Sequence, residues 1–126
     1  NCWLYNKKNL FKKKKIFSKK KLSRGMITKS LLNDYKVGLL TIMIRKSYLN
    51  STKNVFDTNY DLIADFDFAV KFSLKYKFDC IQEPVAIYRI HENQMTKTMR
   101  SNSIEEHVDF YYSYLKNNNL YLLHKE

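Results

Sequence analysis

Apolar and polar residues alternate in blocks along the chain, and each block has the length and period of a recognisable element. In "ITKSLLNDY", residues 27–35, Ile27, Leu31, Leu32 and Tyr35 recur at helical spacing. A short helix is expected there, just after Gly25, with Thr28 or Ser30 near its start. "VGLLTIMIR", residues 37–45, is an apolar run of strand length, charged only at its end, and predicts a buried strand. A helical turn over Lys46 to Asn50 and a loop over "NVFDTNYD", residues 54–61, follow from the density of Asn, Asp and Thr.

From Asp65 the pattern becomes helical again. Phe68, Ala69, Val70, Phe72 and Leu74 supply an apolar side, and early acids with later Lys71, Lys75 and Lys77 suit the helix dipole. "FDCIQEPVAIYRIH" then predicts a short strand around Phe78 to Ile81 and a turn at Glu83-Pro84. A second strand runs through Val85 to Ile90, separated from the first by a proline that cannot donate to a ladder. A last helix is expected with Ser103 as its cap and Glu105 and Glu106 in its first turn. Its apolar stripe would be Ile104, Val108, Tyr111, Tyr112 and Leu115. The sum is an α/β arrangement whose strand-end loops carry the polar residues.

Charge changes the picture of the first quarter. Residues 1–29 hold eleven Lys and Arg and no acid, so the whole net charge of +11 lies there. Leu10, Phe11, Ile16, Phe17 and Leu22 punctuate the lysines as in a hairpin or short strands with one buried face, and Trp3 and Tyr5 fall on a strand. Three readings of the block remain open: an ordinary solvated basic face, contact with an anionic membrane surface, and contact with nucleic acid. The last is the least favoured, because no nucleic-acid-binding motif accompanies the charge.

No stretch is apolar and long enough to span a membrane, and no signal-peptide pattern follows the lysines. Cys2 and Cys80 sit in apolar surroundings outside any zinc-type spacing, which predicts buried free thiols of a reducing compartment. At 126 residues the chain is one domain at most, and its apolar opening, Asn-Cys-Trp-Leu-Tyr, reads like the middle of a structure.

The candidate chemistry centres on "IADFDFAV", residues 63–70, where Asp65 and Asp67 stand one residue apart in an apolar run. If the helix has already begun, two residues of helical repeat turn them roughly 200° from each other, so they cannot serve one site together. In order, "TIMIRKSYL", "VFDTNY" and "ADFDFAVKFSLKYKFDCIQEPVAIYRIHENQMT" resemble the C-terminal half of family 2 glycosyltransferases of the GT-A fold. Residues 37–97 carry that resemblance.

The resemblance implies a partial GT-A, Rossmann-like domain over residues 1–126. Residues 1–36 would be a basic strand, loop and helix segment, 37–97 the acceptor-side half, and 98–126 a C-terminal helix and tail. It implies Asp65 as the general base that takes the proton of an acceptor hydroxyl as that oxygen attacks C1 of a nucleotide-sugar, with inversion. Asp67 would support the site or touch the acceptor, through a cap, a salt bridge or a direct contact. Arg89 and His91, on the Tyr-Arg-x-His pattern, would face the nucleotide diphosphate, and His91 could ligate a metal.

The divalent metal, Mg²⁺ or Mn²⁺, is expected mainly from an N-terminal nucleotide-binding half that the chain does not contain, so the fragment alone would be inactive. The expected partners are a nucleotide-sugar donor and a glycan or lipid-linked acceptor in surface polysaccharide synthesis. The expected place is the cytoplasm, at the cytoplasmic face of the membrane if the basic segment binds it. The chain departs from the family pattern at Ala64, where an acid is usual, and at Asn54-Val55, where glycine is usual. The alternative is a non-catalytic basic module that binds anionic membrane, a partner protein or nucleic acid.

Overall fold

A computed structural model describes residues 1–6, 15–50 and 55–116. The expectations for Leu10, Phe11 and Asn54, and for the side chain of Leu115, fall outside what it describes. In chain order the elements are β1 (Cys2–Asn6), β2 (Lys15–Ile16), α1 (Thr28–Asn33), α2 (Ala64–Ser73), β3 (Ala86–Ile90), α3 (Met95–Thr98) and α4 (Arg100–Phe110). Two short 3₁₀ turns, Leu39–Thr41 and Lys46–Tyr48, bridge α1 and α2, and a π-type turn, Tyr111–Leu115, extends α4.

The fold is mixed α/β. Its sheet has the order β2-β1-β3, with β1 antiparallel to β2 and parallel to β3. Cys2 pairs with Ala86 and Asn6 with Ile90. Asn1 secures the junction, because its side chain donates to the carbonyls of Ser18 and Gln82 at 2.9 and 3.1 Å. Cys2 and Cys80 are free thiols, the first buried and the second partly so. No helix among the described residues is long and apolar enough to cross a membrane.

The core lies between the helices. Leu31 and Leu32 of α1 pack with Phe66, Ala69 and Val70 of α2 and with Phe110 of α4. Phe66 is its aromatic centre, edge-on to Tyr35 at 5.3 Å and to Phe110 at 5.0 Å between ring centroids, a favoured arrangement of ring quadrupoles. Two polar ties cross the same region. Thr28 and Ser73 share a buried hydroxyl contact of 2.9 Å, and the Tyr111 hydroxyl donates to the Leu32 carbonyl at 3.0 Å. The helix expected after Gly25 is α1, and Gly25 itself takes the left-handed φ of 87° that glycine tolerates best.

Three expectations need correction. The apolar run 37–45 is not a buried strand. The Thr41 amide and hydroxyl both bond the Gly38 carbonyl at 2.8 Å, closing a turn inside the run. Its 39–41 turn lies near β3 without pairing with it, and Met43 is 98% exposed. Apolar content set its length, but the turn spends the Gly38 carbonyl locally instead of in a ladder. Around Phe78 to Ile81 only one bridge forms, Phe78 with Gly25, rather than a strand.

The last helix is also rotated from its expected register. α4 starts at Arg100, so Ser103 lies inside it and does not cap it. Ile104, Val108 and Tyr112 face solvent. The inward side is Ser103, Glu106, His107, Phe110 and Tyr111, which has the spacing of one helical face. It turns this way because Glu106 finds unpaired backbone donors there, as described next.

Candidate functional site around Asp65

α2 opens with no side-chain cap of its own, since Ile63 at the N-cap has no oxygen to offer. The N–H groups of the residues leading into that turn are met from a distance. Glu106 on α4 accepts hydrogen bonds from the backbone N–H groups of Asp61, Leu62 and Ile63 at 3.2, 3.0 and 3.1 Å. A carboxylate at the positive end of the α2 dipole is favourable on charge as well. Inside the first turn, Asp65 Oδ1 accepts from the Phe66 amide at 2.8 Å, so Asp65 is anchored at that end of α2 too.

Asp65 is half-buried, and burial pushes its pKa above the ordinary carboxylate value. The Phe66 amide, the nearby Tyr35 hydroxyl and the positive character of His107 pull the other way without cancelling it. Tyr35 answers in kind: burial and then the Asp65 carboxylate hold its hydroxyl protonated far above the usual phenol range. That hydroxyl is buried with no partner at full hydrogen-bond geometry, and the acceptor it acts on is the Asp65 carboxylate. The His107 ring lies 5.1 Å from that of Phe66, and its Nδ1 is 2.6 Å from the Ser103 carbonyl. A carbonyl can only accept, so Nδ1 carries a proton. Asp65, Tyr35 and His107 therefore form one cluster at the first turn of α2.

Asp67 belongs to a different cluster. It is 1% exposed, and its Oδ2 meets Lys71 Nζ at 2.8 Å one turn along α2. Lys71 also reaches Asp57 Oδ2 at 3.4 Å. Burial works against the Lys71 charge, but the two carboxylates outweigh it and keep the ammonium firmly protonated. Burial likewise raises Asp67, with Lys71 pulling it back. Asp67 Oδ1 has no hydrogen-bond partner. With Thr58 and Asn59, the three charged groups border a polar cavity of about 240 Å³. Of the roles open to Asp67, the salt bridge is the one present.

Arg89 lies opposite Tyr5 in the sheet and is exposed, and His91 follows β3, also exposed, its carbonyl accepting from Lys97 Nζ at 3.1 Å. No hydrogen bond, ion pair or ring contact joins either of them to Asp65. Among the described residues no three His, Cys, Asp or Glu gather as a metal would need, so those residues do not themselves supply a full ligand set. A larger groove of about 720 Å³ runs past Lys20, Lys21, Ile42 and Ile81, and Asp65 lines neither cavity.

Compared with protein families, curated proteins and solved structures, the chain matches none. What the chain can do is therefore argued from its own residues.

Sequence reasoning singled out Asp65 and passed over its neighbours Tyr35, Glu106 and His107. Tyr35 reads as a core aromatic, and Glu106 reads as an acid suited to a helix start. The usable signal was the 103, 106, 107, 110, 111 spacing, which places an acid and an imidazole beside Phe110.

Proposed function

We propose that this chain is the acceptor-side part of an inverting glycosyltransferase that moves a sugar from a nucleotide-sugar donor to an acceptor hydroxyl. Asp65 is its general base. The observation that carries the reading is the state of that carboxylate: half-buried at a helix start, with its proton affinity raised by burial. A hydroxyl is a weak nucleophile, and a base of raised pKa takes its proton more readily as the bond to the anomeric carbon forms. Tyr35 beside it offers a donor that can orient the carboxylate or an incoming hydroxyl.

In this reading Asp67 acts at one remove, holding α2 through Lys71, and Arg89 and His91 serve the diphosphate from the end of β3. A divalent ion would come with the nucleotide-binding half and would screen the charge of the leaving diphosphate. The acceptor is a glycan or a lipid-linked saccharide, and transfer takes place at the cytoplasmic face of the membrane. The exposed lysines 19–21 suit an anionic surface there, and no nucleic-acid-binding motif accompanies them.

The test is Asp65→Asn in the polypeptide that joins this chain to its nucleotide-binding half, assayed with a panel of nucleotide-sugars and saccharide acceptors. Transfer falls about 10²- to 10⁴-fold while donor binding persists. Transfer at the parent rate by a folded Asp65→Asn protein removes Asp65 as the base.

A further inference from the structure

We propose that Glu106 is a positioning residue for Asp65: from α4 it fixes the backbone of the α2 entry and so sets how deeply the Asp65 carboxylate is held. The catalytic consequence rests on the reading of Asp65 as a base; the structural coupling does not.

Three adjacent N–H groups, those of Asp61, Leu62 and Ile63, converge on the two oxygens of one side chain from a helix more than forty residues further on. They belong to the N-cap Ile63 and the two residues before it, a stretch that Glu106 holds in place of the reach-back a first-turn Glu makes in a capping box. Leu62 and Ile63 lie immediately before Ala64 and Asp65, so any slackening of the 61–63 backbone passes directly into the first turn. α4 also places the His107 ring against Phe66, one residue after Asp65. Two consecutive residues of α4 thus grip the same turn, Glu106 through its carboxylate on the backbone N–H groups and His107 through its ring on Phe66.

The geometry also separates Glu106 from a direct electrostatic role. The titratable groups that face Asp65 are Tyr35, from the segment after α1, and His107, from α4. Glu106 acts instead through the amides it holds. With the clamp removed, the first turn opens to water and Asp65 loses the burial that raises its pKa. The Phe66 amide bond, the next largest influence, already lowers that pKa; its loss would oppose the change but is the smaller of the two.

The experiment uses the 126-residue chain and needs no sugar. Carboxyl-carbon NMR follows the titration of Asp65, and amide exchange follows Leu62 and Ile63, in the parent, Glu106→Ala, Glu106→Asp and Glu105→Ala. Glu105, the exposed neighbour, controls for charge loss alone. In Glu106→Ala the Leu62 and Ile63 amides exchange about tenfold faster or more, the effect of losing bonds to a charged acceptor. The Asp65 midpoint moves down toward the ordinary carboxylate range. Glu106→Asp keeps the charge but withdraws it by one methylene, and shifts both readouts in the same direction in a chain more certain to fold. Glu105→Ala moves neither.

Unchanged exchange or an unchanged Asp65 midpoint in the Glu106 variants overturns the proposal, as does an equal shift in Glu105→Ala. If Asp65→Asn retains transfer while these shifts occur, the base assignment fails and the clamp stands.

Discussion

Asp67 and Lys71 stand one turn apart on α2 with 2.8 Å between Oδ2 and Nζ, the carboxylate enclosed and the ammonium reaching toward solvent. The pair is lopsided. Lys71 can be hydrated without Asp67, but Asp67 has no other hydrogen-bond partner for Oδ2, and its Oδ1 already has none. Lys71→Met is therefore expected to cost about 3 kcal/mol, the order found when one member of a buried ion pair is removed. Adding Asp67→Leu recovers part of that loss, since the orphaned charge goes with it. Urea unfolding of the two variants measures both; a Lys71→Met cost below about 0.5 kcal/mol would show Asp67 reaching water.

The buried hydroxyl pair on the other side of α2 has a direction. Ser73 Oγ donates to the Val70 carbonyl at 2.8 Å, so in its contact with Thr28 the proton comes from threonine. Ser73→Ala strands a buried Thr28 hydroxyl and is expected to cost about 1–3 kcal/mol, whereas Thr28→Val leaves Ser73 bonded and costs about 1 kcal/mol. The double variant should cost less than the sum. Equal single costs, or strict additivity in thermal unfolding, would contradict the assigned donor.

Asp65 carries a cost in stability that follows from its place. Its pKa is raised in the fold, so between the unfolded and folded values the native state binds more protons and stability falls as pH rises. Above that window the charged carboxylate is a standing penalty. Asp65→Asn keeps an oxygen for the Phe66 amide and removes the charge, so above that window it raises the melting temperature by a few degrees. At pH 3, below the ordinary carboxylate pKa of about 3.9, both states of the parent are protonated and the gain vanishes. A gain that persists unchanged at pH 3 would have another origin.

Much of this arrangement is legible in the residues. Helical spacing places α1 and α2, alternation places β3, and the helical repeat turns Asp65 and Asp67 to different surroundings before any coordinates exist. Two things are not legible, for physical reasons. Residues 37–45 have the composition of a strand, but a strand is a relation between two segments, and periodicity in one cannot report the absence of the other. The register of α4 turns on Glu106, a charged residue drawn inward because backbone donors far away in sequence lack acceptors. No hydrophobic pattern within α4 announces that demand. The neighbours of Asp65 are hidden for the same reason: Tyr35, Glu106 and His107 come from separate parts of the chain and meet only when α1, α2 and α4 pack.

The parallel pairing of Cys2–Asn6 with Ala86–Ile90 also orders events in time. Its two strands are separated by most of the chain, and that large loop must close before any of their hydrogen bonds can form. The α1 and α2 contacts close a smaller loop, so the helical layer can assemble while the sheet is still two unpaired ribbons. Pulsed exchange during refolding should find the Phe66 and Val70 amides protected before those of Leu4 and Tyr88. Until then β3 lacks its neighbour β1, and its backbone donors and acceptors are open to any extended peptide nearby. The slow step of folding is thus also the interval in which copies of this chain are most prone to pair with each other, and dilution or early capture of β1 should raise the yield of native protein.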